Sequence, residues 1–259
     1  MNILFVGDIV GKSGRGAVSK LLPELKLSRN IEFCIANGEN AAGGLGITSK
    51  VADELFASGI DVLTTGNHVW DKKEIKERID KDRRLLRPEN YPDGVPGKGS
   101  AVIEAPNGVR VGVLNIAGRV FMQNLECPFR VGDREVKELK KLTPIVFVDI
   151  HAEATSEKIA IGWFLDGLAT AVIGTHTHVQ TADERILPGG TACITDVGMT
   201  GSFDSVIGVK KGHVLERFLT QMPVRFEPAD GDVWLSGVVV EVDGESGKSK
   251  RIERFRVAV

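Results

Sequence analysis

A chain of 259 residues, 42% of them hydrophobic, can bury a full core without disulfides or structural metals, and it suits one large domain or two small ones. Its 33 Lys and Arg against 35 Asp and Glu give a net charge of −2, which leaves no basic excess to follow a nucleic-acid backbone or an anionic membrane. The well-mixed charges exclude a disordered or fibrous chain, and three scattered cysteines argue against a disulfide framework.

The chain opens on a short apolar run, Asn2 to Val6, that ends at Gly7-Asp8. The run has no basic flank and is too short for a signal peptide or a membrane span, so a cytoplasmic protein is expected. A helical period covers Gly16 to Leu25, and the next run, Glu32 to Ala36, ends at Asn37-Gly38-Glu39-Asn40. The helix Ser49 to Ala57 precedes Asp61 to Thr65, which ends at Gly66-Asn67-His68. A third helix is expected over Asp71 to Asp80, and the Pro-, Gly- and charge-rich chain from Arg84 to Gly99 reads as an irregular excursion. Apolar runs return at Val111 to Ile116 and at Pro144 to Ile150, the latter ending at His151. The helix Ser156 to Leu168 leads to Thr170 to Ile173, which ends at Gly174-Thr175-His176-Thr177-His178. Thr191 to Thr195, a helix over Lys210 to Leu219, and two alternating runs complete the chain. Those two, Val233 to Val242 and Ile252 to Val257, flank a turn at Asp243 to Gly247 and predict an antiparallel hairpin. Ser49, Asp71 and Ser156 are candidate helix caps. The apolar runs are short and rich in β-branched residues, hence strands. Strands alternating with helices predict an α/β layered fold with helices outside, and residues 1–259 read as one domain without repeats or a linker.

Four of the five histidines stand at or just past strand ends: His68, His151, His176 and His178. Asp8, Glu39, Asn40 and Asn67 occupy the equivalent place, so five strands deliver ligand-type side chains to one edge. In open α/β sheets the ligand crevice lies outside those carboxyl ends. A lone histidine there would be structural, but five strands converging in this way are hard to obtain from core packing. Carboxylate, amide and imidazole without thiolate suit Mn, Fe or Zn ions. Two ions about 3.5–4 Å apart clamp a phosphoryl group and bring a bridging water's pKa toward ~7, so no Ser or Cys nucleophile is required and hydroxide attacks.

In order, Gly7-Asp8, Asn37-Gly38-Glu39-Asn40, Gly66-Asn67-His68, His151 and Gly174-Thr175-His176-Thr177-His178 resemble the signature blocks of the calcineurin-like metallophosphoesterases. Two departures identify a subgroup. The first block lacks its usual histidine, since Ile9-Val10 follows Asp8, and Glu39 with Asn40 replaces the usual bridging Asp. This combination, with Phe5 to Gly14, Asn37 to Gly44 and Thr195 to Gly208, resembles the bacterial YmdB-like branch over essentially the whole chain. The resemblance implies a four-layer αββα sandwich of mixed sheets, with a dinuclear site at the C-terminal ends of strands. It implies that Asp8, Glu39, Asn40 and His178 hold one metal and that Glu39, Asn67, His151 and His176 hold the other. Two divalent or mixed-valence first-row ions are expected, Fe or Mn first and Zn as the alternative. His68 would not be a ligand; it would protonate the leaving oxygen or stabilise phosphoryl charge. The alternative for His68 is a histidine that only supports its neighbours.

The resemblance further implies a phosphodiesterase acting on cyclic nucleotides, particularly 2′,3′-cyclic monophosphates. A phosphomonoesterase and a regulatory metal- or nucleotide-binding protein with vestigial catalysis are the alternatives. An RNA-processing nuclease ranks lower, because near-neutral charge and few aromatics (eleven Phe, three Trp, one Tyr) give little basis for binding a strand. The expected partner is a small phosphate ester or cyclic nucleotide, with no membrane and no stable nucleic acid; a homo-oligomer stays open. Gly7, Gly11, Lys12 and Ser13 mimic a phosphate loop with the wrong spacing, and a plain loop after the first strand is preferred. The glycine-rich stretch Gly43 to Gly46 suits a lid or a simple turn equally. His213 receives no role.

Overall fold

The computed structural model describes residues 1–259. In chain order the elements are β1 (Asn2–Val6), β2 (Asp8–Ile9), α1 (Gly11–Ser28), β3 (Ile31–Asn37), α2 (Ser49–Ala57), β4 (Val62–Thr64) and α3 (Ile75–Ile79). Then come β5 (Ser100–Glu104), β6 (Arg110–Ala117), α4 (Pro128–Lys140), β7 (Val146–His151), α5 (Thr155–Phe164) and β8 (Ala171–Thr175). The chain ends with β9 (Arg185–Ile186), β10 (Ala192–Ile194), β11 (Met199–Ser202), α6 (Lys211–Thr220), β12 (Val233–Val242) and β13 (Ser249–Ala258).

Two mixed sheets result. The seven-stranded sheet runs β2-β11-β12-β1-β3-β4, with β13 added beside β12, and the six-stranded sheet runs β5-β6-β7-β8-β10-β9. Within them β1, β3 and β4 are parallel, as are β6, β7, β8 and β10. The predicted C-terminal hairpin is present as the antiparallel pair β12–β13.

The two-residue side-chain period of a strand decides where each residue packs. In β1, Ile3 and Phe5 join Phe33, Ile35, Phe147 and Ile173 in a core contributed by both sheets. Their neighbours Leu4 and Val6 face the other way, against Val18, Leu22, Val51 and Leu55 of α1 and α2. The second sheet repeats the division: Val113 and Phe147 point inward, while Leu114 and Val148 pack with Val131 and Ile161 of α4 and α5. Phe5, Phe33 and Phe147 are fully buried, and each contributes about 1.5–3 kcal/mol of hydrophobic stabilisation. No helix is long and apolar enough to cross a membrane.

The excursion from Arg84 to Gly99 is irregular, as expected. Helix α4 lies where the sequence pattern predicts none; it begins with Pro128 in its first turn, where the missing N–H has no partner to lose. The caps also differ. Thr48, not Ser49, caps α2 by accepting the Val51 N–H at 3.2 Å. Neither Asp71 nor Ser156 caps a helix: α3 starts after Glu74 and α5 after Ala154. Gly43 to Gly46 forms a tied turn, with Gly44 N–H on the Asn40 carbonyl and Ala42 N–H on the Gly46 carbonyl.

Candidate metal centre

Strand ends aim the side chains. Asp8 follows β1 through Gly7, whose backbone lies so near the Gly198 carbonyl that a Cβ there would sit 1.9 Å from its oxygen. The Asp8 N–H donates to that carbonyl at 3.1 Å, and Asp8 pairs in register with Met199. Past β3, the Asn37 amide oxygen accepts the Glu39 N–H at 3.1 Å and turns the chain so that Glu39 and Asn40 face the same hollow. Past β4, Gly66 leaves room where any larger residue would not fit: a Cβ would lie 2.2 Å from His151 Cδ2 and 2.4 Å from Glu39 Oε2. His151 closes β7 opposite Thr175 of β8, and His176 and His178 follow directly.

The structure brings seven of the eight expected side chains together. His151 Nε2 is 3.0 Å from Glu39 Oε1, 3.1 Å from Asn67 Oδ1 and 3.0 Å from His176 Nδ1. Ligand atoms of Glu39, His151 and His176 all lie within 4.8 Å of one another. Beside them, Asn40 Nδ2 is 3.3 Å from Glu39 Oε1 and 3.2 Å from His178 Nε2, and Asp8 Oδ1 is 3.9 Å from that same nitrogen. Glu39 thus stands in contact with both subgroups. Asp8, Glu39, Asn40 and His151 are buried, whereas Asn67, His176 and His178 reach solvent, so the hollow opens on one side. His68 stands apart: its N–H donates to Glu39 Oε2 at 3.1 Å, but its ring turns away to Asp71 Oδ2 at 2.8 Å.

Each clustered histidine has its other ring nitrogen engaged. His151 Nδ1 meets Thr175 Oγ1 at 2.9 Å, His176 Nε2 meets Glu153 Oε2 at 3.2 Å, and His178 Nδ1 meets the Ile207 carbonyl at 2.9 Å. With an acceptor on that side, a neutral ring would keep its proton there and turn its other nitrogen to the hollow, where it could hold a cation. Both His176 and His178 have positive φ, 97° and 66°, a conformation costly for any residue but glycine and concentrated at functional sites.

The charges are crowded. Burial opposes ionisation of Glu39, yet the His151 imidazolium beside it holds its carboxyl down at about 2. Burial likewise opposes the charge on His151, but Glu39 and then Asp8 lift it to about 9. Asp8, wholly enclosed, is pushed up to about 7 by burial against the pull of His178 and His151. Burial and the neighbouring His151 charge press His176 down to about 3. Asp8 Oδ1 has no hydrogen-bond partner although it is buried, which is costly for a carboxylate oxygen. An all-oxygen-and-nitrogen donor set around such an orphaned oxygen fits a first-row metal cation, which would satisfy it and reverse the local proton preferences.

Several supporting residues escaped the sequence reading. Asp149 accepts from Thr175 Oγ1 at 2.7 Å, Thr64 Oγ1 at 2.5 Å and Asn37 Nδ2 at 3.1 Å. Its signal was available: an acid in the otherwise apolar run before His151, two residues away and hence on the same face of the strand. Asp196 ties down the loop of His176 and His178, accepting from Thr177 N at 3.0 Å and Thr177 Oγ1 at 2.6 Å while paired with the buried Lys158 at 2.7 Å. The single tyrosine, Tyr91, lies edge-on to Trp70 at 5.9 Å; burial, then the carboxylates of Glu39 and Asp71, push its hydroxyl upward.

Two sheets joined over a shared core, with acid, amide and imidazole groups gathered at their common edge, define a two-sheet α/β protein with a candidate metal centre. The chain belongs to the YmdB-like protein family, whose model matches residues 4–255. It is 51% identical over 257 residues to the 2′,3′-cyclic-nucleotide 2′-phosphodiesterase of Bacillus subtilis (strain 168), covering 99% of this chain and 97% of that protein. Among solved structures it matches a hypothetical protein from Thermus thermophilus at TM-score 0.93 and 41% identity, over 100% of this chain and 99% of the other. It also matches a novel phosphatase from Mycoplasma pneumoniae at TM-score 0.93 and 34% identity, over 100% and 93% of the two chains.

Proposed function

We propose that this protein hydrolyses phosphodiesters, with 2′,3′-cyclic nucleotides as its substrates, at a centre of two metal ions. The observation that carries the reading is the buried, unpartnered Asp8 Oδ1 beside the contacting set of Glu39, Asn40, Asn67, His151, His176 and His178. The substrate comes from the 51% identity to the Bacillus subtilis enzyme over nearly the full length of both chains.

Asp8, Glu39, Asn40 and His178 would hold one ion, and Glu39, Asn67, His151 and His176 the other, with Glu39 between them. Asn40 serves through its amide oxygen once the amide turns over. Bound ions supply charge neutralisation at the phosphate and an activated water. The chain's own residues do the rest. Glu39 and Asp8 keep negative charge fixed in a dry pocket, and Thr175, Glu153 and the Ile207 carbonyl orient the three imidazoles. His68, braced by Asp71 and partly open to solvent, would turn its ring from that brace toward the hollow to give a proton to the departing alkoxide oxygen. Fe or Mn is the preferred occupant and Zn the alternative.

The three hydrophobic cores support a four-layer αββα order within one domain, and three free cysteines without a disulfide suit a reducing cytoplasm. A monoesterase is the second reading, favoured by likeness to the Mycoplasma pneumoniae phosphatase. The test is a turnover screen of metal-reconstituted protein against 2′,3′-cyclic and 3′,5′-cyclic nucleotides and simple monoesters, with chelated protein as control. Metal-dependent cleavage of the 2′,3′-cyclic diester is expected; cleavage of monoesters alone, or turnover that survives chelation, contradicts the proposal.

A further inference from the structure

The loop after β6 is tied to the histidine cluster at both ends, yet it carries a side chain that the hydrolytic reading does not use. Gly118 N–H donates to the His151 carbonyl at 2.9 Å. The Glu153 N–H reaches the Met122 sulfur at 3.3 Å, and Glu153 pairs with His176. The segment thus starts at the backbone of one histidine of the cluster and ends beside the residue that braces another. On its far side, Gln123 accepts the Tyr91 hydroxyl at 3.0 Å.

Between these anchors Phe121 is 89% exposed, and its φ of 62° lies in the left-handed region. A bulky residue rarely adopts that conformation, and here hydrophobic burial does not offset its cost. The buried Glu157 holds the turn in shape: its carboxylate accepts the N–H groups of Arg119 and Val120 at 3.1 to 3.2 Å. Packing beneath is tight as well, since a Cβ at Gly118 would fall 2.5 Å from both Ala152 Cβ and Glu157 Oε2. A strained, firmly anchored turn that lifts a whole aromatic face into water opposes folding stability, which points to a ligand for that face.

We propose that Phe121 is the platform on which the base of a cyclic nucleotide stacks while its phosphate lies at the histidine cluster, an inference that rests on the diesterase reading above. Stacking is available to every base because each has a π-face, and a platform fixed in advance loses little freedom on binding. Recognition of the base is therefore broad.

The test compares two cyclic diesters, adenosine 2′,3′-cyclic phosphate and the base-free glycerol 1,2-cyclic phosphate, in wild-type, Phe121→Ala and Phe121→Tyr proteins loaded with metal. Phe121→Ala is expected to raise KM for the nucleotide at least about fivefold, the lower end of what base stacking supplies, and to leave glycerol cyclic phosphate unaffected. Phe121→Tyr should restore the nucleotide KM. Equal KM changes for both diesters, or no change for the nucleotide while wild type cleaves both, overturn the platform alone. Failure of the wild type to cleave either diester overturns the diesterase reading, and the platform with it.

Discussion

Thr175 Oγ1 lies 2.9 Å from His151 Nδ1 and gives its own proton to Asp149 Oδ1 at 2.7 Å. The hydroxyl can therefore only accept from the ring, and His151 presents Nε2 to Glu39, Asn67 and His176. Thr175→Val removes the acceptor but keeps the shape. Metal affinity measured by calorimetric titration should fall about 10–100-fold, and Thr175→Ser should recover it. Unaltered affinity in the valine variant would show that packing alone orients the ring.

Gly66→Ala places a methyl group where His151 and Glu39 already stand. Metal content after dialysis and turnover should both drop below a tenth of wild type, while far-UV circular dichroism remains native. Full metal occupancy would mean that the hollow is wider than these contacts allow.

His68→Ala tests the proton donor. Two metals per chain should be retained, by elemental analysis, with kcat lowered about 10²–10⁴-fold. Asp71→Asn, which weakens the brace on the ring, should give a smaller loss. Wild-type kcat in His68→Ala would reduce His68 to a supporting role.

The three thiols should differ in reactivity. Burial pushes the Cys34 thiol well above its ordinary range and lifts Cys193 to about 12, whereas the backbone N–H groups of Arg130 and Phe129 lower Cys127. The thiolate is the reacting species. Iodoacetamide at neutral pH should label Cys127 first in the native protein and all three cysteines after denaturation, as peptide mass mapping would reveal.

Asp183 links stability to acidity. Burial works against its charge, but hydrogen bonds from Thr181 and Thr195 hold its carboxyl below the usual range. A carboxyl depressed in the folded state contributes stability that is complete above its unfolded pKa, ~3.9, and is lost as pH falls through the lower folded value. Asp183→Asn should therefore cost about 1 kcal/mol at pH 7 in urea unfolding, after solvent screening. The deficit should shrink below pH 4; a constant deficit at all pH values would assign it to packing.

Most of the strand framework and the clustered acid, amide and imidazole side chains are legible because both are written locally. Val233–Val242 and Asn2–Val6 are bounded by turn residues, and Asp8, Glu39, Asn67, His151 and His176 each follow such a run within three positions. Helix α4 was hidden because its apolar residues Val131, Val136 and Leu139 are diluted by charge. Strand β11, Met199–Ser202, owes its existence to distant partners, Asp8 and Trp234, which no short window contains. The same limit concealed Asp71, read as a helix cap because of its position, whose partner proves to be the His68 ring. Glu153, Glu157 and Asp196 act on loops far from them in sequence, so their tasks emerge only once the chain is folded.

The cluster takes Asp8, Glu39, Asn40 and Asn67 from the strands of one sheet and the loops that follow them, and His151, His176 and His178 from the other. It therefore doubles as a rivet across the seam between the two halves. Any slippage of one half past the other would pull these groups out of alignment before it exposed much core. Loss of catalytic competence should consequently announce early loosening of the molecule, ahead of global melting.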